Sequence, residues 1–115
     1  MRPTWADIDL EAIKHNVRQL RQIVSPSILC AVVKANGYGH GAIPVARAAV
    51  SAGAEWLAVA LVEEGIHLRE AGIEAPILLL SEPRPLEMVQ VAEYDLRPAV
   101  YSGEGIAAAA AAAKQ

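Results

Sequence analysis

The tightest constraint on the fold is the run Ile28-Leu29-Cys30-Ala31-Val32-Val33, six apolar residues with no polar alternation. A strand with one wet face alternates, so a uniform run suits a strand buried on both faces, as in a parallel sheet. Cys30 inside it reads as a small core residue. A helix precedes the run. Asp9 is a good N-cap, Glu11 complements the helix dipole, and Leu10, Ile13, Val17, Leu20 and Val24 recur at steps of three and four until Ser25-Pro26 stops the pattern. Ahead of it, Thr4–Asp9 alternates and reads as a short strand.

The order then repeats, with helices expected at Ile43–Ala52, Val62–Ala71, Leu86–Glu93 and from Gly105 onward. Between them, strands are expected at Trp56–Ala60, Ile77–Leu80 and Arg97–Tyr101. Ala52-Gly53-Ala54-Glu55 and Ala71-Gly72-Ile73-Glu74 look alike, each closing a helix with glycine just before an apolar strand. These are turns of one β–α motif without a linker. Two α/β architectures accept it, an open doubly wound sheet and a (β/α)8 barrel. A barrel typically takes about 250 residues, so this length supplies little more than its first half. The pattern leaves both open.

With 115 residues, 54% of them hydrophobic, the chain has material for a real core and is not a disordered tail. Its net charge of −3 offers no basic patch for nucleic acid. No window is long and apolar enough for a membrane helix, and Asp7 interrupts any secretory h-region. A single cysteine forms no internal disulfide, which fits a cytoplasmic location. Of the 23 alanines, seven stand together at Ala107–Ala113, two residues before the last, which raises the expectation of a fold continuing past Gln115.

Chemistry concentrates in Val33-Lys34-Ala35-Asn36-Gly37-Tyr38-Gly39-His40-Gly41. Lys34 stands at the carboxyl end of the apolar strand, where parallel α/β folds bind ligands. Desolvation favours a neutral, nucleophilic amine, the form that Schiff-base chemistry needs. The plainer reading is a lysine that snorkels to solvent. The glycines do not follow the dinucleotide fingerprint, and no phosphate-binding lysine motif is present. They read as a tight turn with positive φ that projects Tyr38 and His40, with the Tyr38 phenol free to donate to an anionic group. His15, His40 and His67 have no metal-ligand spacing, and Glu63-Glu64 reads as a complement to the helix dipole. Ser81-Glu82-Pro83-Arg84-Pro85 reads as a stiff turn.

The segment from Val33 to Gly41 closely resembles the cofactor-attachment motif of the bacterial alanine racemases, which use pyridoxal 5′-phosphate. Thr4–Leu10 resembles that family's opening strand, and Leu57–Ala60 and Gly72–Leu78 resemble its third- and fourth-strand regions. The resemblance implies that residues 1–115 are the amino-terminal portion of a pyridoxal-phosphate-binding (β/α)8 TIM barrel, about its first four to five β/α units. The carboxyl-terminal half of the barrel and the β-domain would be absent.

It further implies that Lys34 is both the catalytic acid/base on one face and the Schiff-base lysine. Tyr38 would contact the cofactor phosphate, and Val32 and Leu80 would line the pocket. The activity implied is interconversion of L- and D-alanine for peptidoglycan, in a homodimer whose partner supplies the opposite-face tyrosine. Tyr94 and Tyr101 fit ordinary helix-end and strand positions, so the segment alone is expected to be inactive. The rival readings are a fold-related decarboxylase of basic amino acids and a non-catalytic pyridoxal-phosphate-binding barrel protein.

Overall fold

The computed structural model describes residues 2–115. Helix α1 (Leu10–Val24) is followed by strand β1 (Cys30–Val32), a helical turn α2 (Lys34–Tyr38) and helix α3 (Ala42–Ser51). Then come β2 (Trp56–Val59), α4 (Val62–Glu70), β3 (Ile77–Leu79), a 3-10 turn at Pro85–Glu87, α5 (Met88–Glu93), β4 (Arg97–Pro98) and α6 (Gly103–Ala113). The Asp9 carboxylate caps α1 by accepting from Ala12 N at 3.0 Å. Gly53 and Gly72 stand just past the ends of α3 and α4 with φ of 118° and 87°, the terminator role expected of them.

All strand pairings are parallel and run in chain order, β1-β2-β3-β4. A doubly wound sheet reverses its strand order at a switch point and is covered on both faces. Here the order never reverses. One face carries Leu57, Val59, Ile77 and Leu79, all 0% exposed, and joins Val33, Val62, Leu68, Met88, Val91 and Leu96 in the main core. A smaller cluster of Val17, Ala49 and Ala54 seats α1 beside it. The register pairs Val32 with Ala58 and Ala58 with Leu78, so these three share the opposite face. On that face Cys30 and Val32 are exposed and Leu78 is half-buried, while Ala58 between Val32 and Leu78 is buried. Sequential parallel strands with helices on one side alone are part of a (β/α)8 barrel, not an open sheet.

Several expectations are corrected. β1 is not buried on both faces: it is the edge strand, and its inner face has no covering layer. Cys30 is therefore exposed rather than a core residue, although partial desolvation pushes its thiol above the ordinary range. Thr4–Asp9 forms no strand; its residues are almost all exposed and pair with no neighbour. The strand expected at Arg97–Tyr101 shortens to Arg97–Pro98, and its last bond to β3 is donated by Ala99 N to Leu79 O at 3.2 Å, where β3 itself ends. The helix expected from Leu86 begins as the 3-10 turn at Pro85.

Candidate active site

Lys34 follows β1 directly, two residues beyond Val32, and is half-buried. No salt bridge among the described residues uses its amine. The backbone after it is left-handed: φ is 50° at Ala35, 54° at Asn36, 63° at Gly37 and 56° at Tyr38. Sequence reasoning assigned positive φ to the glycines alone. An L-residue pays roughly 1–2 kcal/mol for this conformation, so three non-glycine residues adopt it only where hydrogen bonds over-determine the turn.

They do. Gly37 N donates to Val33 O at 2.9 Å, Gly39 N to Ala35 O at 3.0 Å and Gly41 N to Asn36 O at 2.9 Å. The Asn36 side chain accepts from Ala42 N at 2.9 Å, tying the turn to the start of α3. His40 lies with Nδ1 3.0 Å from Gly37 O, so that nitrogen carries the proton and the ring serves the loop.

A further support comes from α4. Glu64 Oε1 accepts from Ala35 N at 2.7 Å, while Oε2 accepts from Ala60 N at 2.8 Å and Leu61 N at 3.0 Å. One carboxylate thus joins the loop after β1 to the loop after β2. Ser81 Oγ donates to Ala60 O at 3.1 Å and carries the link to the loop after β3. From there Glu82 reaches the loop after β4. Its Oε2 accepts from Tyr101 N at 2.7 Å and Ser102 N at 2.9 Å, and its Oε1 from the Ser102 hydroxyl at 2.6 Å. The Ser102 hydroxyl, then the Tyr101 amide, hold the Glu82 carboxyl below its ordinary range. All four loops at the carboxyl end of the sheet are stitched by side chains.

Sequence reasoning missed both carboxylates as bridges. Glu64 does stand in the first turn of α4, as expected, but its side chain turns back onto two loops. Its place three residues after Leu61 fits half of a capping box, a signal that could have drawn attention to it. Nothing local marks Glu82. Val32 and Leu80 are 39% and 44% exposed at the carboxyl ends of β1 and β3, and Tyr38 is 58% exposed beyond the turn. His15 and His67 are exposed, and no metal-holding cluster occurs among the described residues. Tyr94 ends α5, where its carbonyl accepts from Arg69 Nε at 2.9 Å. Tyr101 lies just past β4.

Fold and site together define the amino-terminal part of a parallel α/β barrel, with a lysine delivered at the carboxyl end of its first strand. Residues 8–115 match the family described as "Alanine racemase, N-terminal domain", and the chain belongs to that family. It is 56% identical over 104 residues to an alanine racemase of Symbiobacterium thermophilum, covering 90% of this chain and 28% of that protein. An alanine racemase of Synechocystis is 55% identical, with 87% of this chain and 27% of the relative covered.

Among solved structures, alanine racemase from E. faecalis superposes with a TM-score of 0.84 at 44% identity, covering 90% of this chain and 28% of that one. The Clostridium difficile enzyme gives 0.91 at 35% identity, covering 98% and 30%. The chain therefore spans less than a third of the length of these relatives. Among the described residues, no helix is long and apolar enough to cross a membrane.

Proposed function

We propose that this chain is the cofactor-anchoring part of an alanine racemase, with Lys34 as the residue that holds pyridoxal 5′-phosphate and exchanges a proton with the substrate. The supporting observation is a half-buried lysine at a strand's carboxyl end, fixed by a left-handed turn. The surrounding residues fit the group. Lys34 offers an amine to an aldehyde, Val32 and Leu80 offer apolar surface to a flat ring, and the Tyr38 phenol offers a donor to a phosphate. Bound pyridoxal phosphate supplies an electron sink for negative charge at the carbon beside the amine.

The chain's own residues do the rest. Lys34 Nζ removes a proton from, or returns one to, the substrate Cα on one face, the D-alanine side. Return of a proton on the opposite face needs a second group, a tyrosine from the other protomer of a homodimer. The rest of the barrel covers the open face of the sheet, so residues 1–115 carry the anchor and one acid/base and are inactive alone. The setting is the cytoplasm, and the product is D-alanine for peptidoglycan. The racemases named above favour this reading over a decarboxylase or a non-catalytic pyridoxal-phosphate protein. Borohydride reduction of the cofactor-loaded protein followed by peptide mapping tests it. A label on Lys34 is expected, and a label on another residue would overturn the assignment.

A further inference from the structure

We propose that Glu64 is a positioning residue for Lys34: it sets the direction of the lysine by gripping the amide of the next residue, Ala35. The inference rests on the reading of Lys34 as the cofactor anchor. Lys34 leaves the sheet through one peptide bond into a left-handed turn, so the orientation of the Lys34–Ala35 peptide fixes where the lysine side chain starts. Of the turn's other hydrogen bonds, that from Gly37 N to Val33 O spans the Lys34–Ala35 peptide without engaging its N–H, and the rest are donated further along, by Gly39, His40, Gly41 and Ala42. Ala35 N makes its bond outside the turn, to Glu64 Oε1 at 2.7 Å and across 29 residues of sequence.

Glu64 is itself held. Its Oε2 takes two amides, Ala60 N and Leu61 N, at the entrance to α4, so the carboxylate is a fixed strut and not a swinging contact. A carboxylate suits the place because it is all acceptor, and three N–H groups converge on its two oxygens. Glutamine does not. Its single oxygen satisfies the two amides of the α4 entrance, which leaves an NH2 facing the Ala35 N–H. Glu64→Gln thus keeps the helix start and breaks the grip on Ala35, separating positioning from folding.

The test compares the cofactor-loaded protein with E64Q, with E63Q as a neighbouring control, and with a form carrying a backbone ester between Lys34 and Ala35. The ester deletes the Ala35 donor and leaves Glu64 on Ala60 and Leu61. Three quantities are read: affinity for pyridoxal phosphate from the absorbance of the attached cofactor, the pH at which that absorbance titrates, and the residue labelled by borohydride. The expected result is a label on Lys34 in every form, at least tenfold weaker cofactor binding with a shifted titration in E64Q and the ester, and no change in E63Q. Should E64Q fail to fold, the ester form carries the comparison. Affinity within twofold and an unmoved titration in the ester form, with Lys34 still labelled, would overturn the positioning role alone. A label elsewhere in the unaltered protein would overturn the anchor reading, and this inference with it.

Discussion

Glu64 and Ala35 lie 29 positions apart in sequence, yet the Ala35 amide donates to the Glu64 carboxylate at 2.7 Å. Replacing Glu64 by alanine strands three amides at once, those of Ala35, Ala60 and Leu61. Hydrogen bonds to a charged group contribute about 1.5–3 kcal/mol each, and partial access of water offsets part of that loss. A loss of about 2 kcal/mol is expected for Glu64→Ala in urea denaturation, and E64Q is expected to lose less. Equal losses in the two variants would contradict the geometry.

Glu82 gives the protein an acid-sensitive joint. Hydrogen bonds from the Ser102 hydroxyl and the Tyr101 amide hold its folded-state pKa below the ordinary value near 4.5. The stability it contributes is present above that value and is lost as pH falls through the lower folded value. Between neutral pH and 3, Glu82→Gln is therefore expected to flatten the acid side of the stability curve. Thermal melts of both forms across that range provide the check; parallel curves would exclude the coupling.

Two glycines in the first turn of α6 should respond oppositely to alanine. At Gly105 an added Cβ would overlap the Glu82 carboxylate, whereas at Gly103 it meets nothing within 4 Å. Gly105→Ala must push Glu82 off Tyr101 and Ser102, and a lower Tm is expected. Gly103→Ala fills open space at a helical position and should be neutral or stabilising by up to about 0.5–1 kcal/mol. Differential scanning calorimetry distinguishes the pair.

Arg69 closes the opposite end of the structure. Its guanidinium donates to the carbonyls of Tyr94, Ile73, Ala75 and Asp95 at 2.8–2.9 Å. Lysine keeps the charge but cannot present a planar fork to four acceptors. Arg69→Lys is expected to cost about 2–3 kcal/mol in denaturant titrations, since each lost bond nets roughly 0.5–1.5 kcal/mol and the ammonium recovers some.

What the sequence revealed and what it hid divide by the range of the interactions. The uniform run before Lys34, the glycines at 53 and 72 and the Asp9 cap depend on near neighbours, and each was readable in order. The Val33–Gly41 motif was legible down to a lysine at a strand end followed by a tight turn, because most of that turn's bonds join its own residues and the adjoining Ala42, but the left-handed backbone at Ala35, Asn36 and Tyr38 was not. The bridges made by Glu64 and Glu82 were not, because Ala35 stands 29 residues from Glu64 and Ser102 stands 20 from Glu82, and the local bonds of Glu64 to Ala60 and Leu61 mark only a helix start. The exposure of Cys30 was missed for a related reason. An apolar strand announces that it can be buried on both sides, but not whether a second layer is there to bury it.

The strand order has a consequence for how such a protein is made. Each strand pairs with the one synthesised just before it, and no pairing in the sheet skips a strand. A nascent chain leaving the ribosome can therefore add one strand at a time to a growing edge, each new helix drying the outer side as it arrives. The turn after Lys34 is secured by α3 and then by α4, within 30 residues of the lysine. The Lys34 side chain would thus be aimed early in translation, as soon as α4 has packed against the turn.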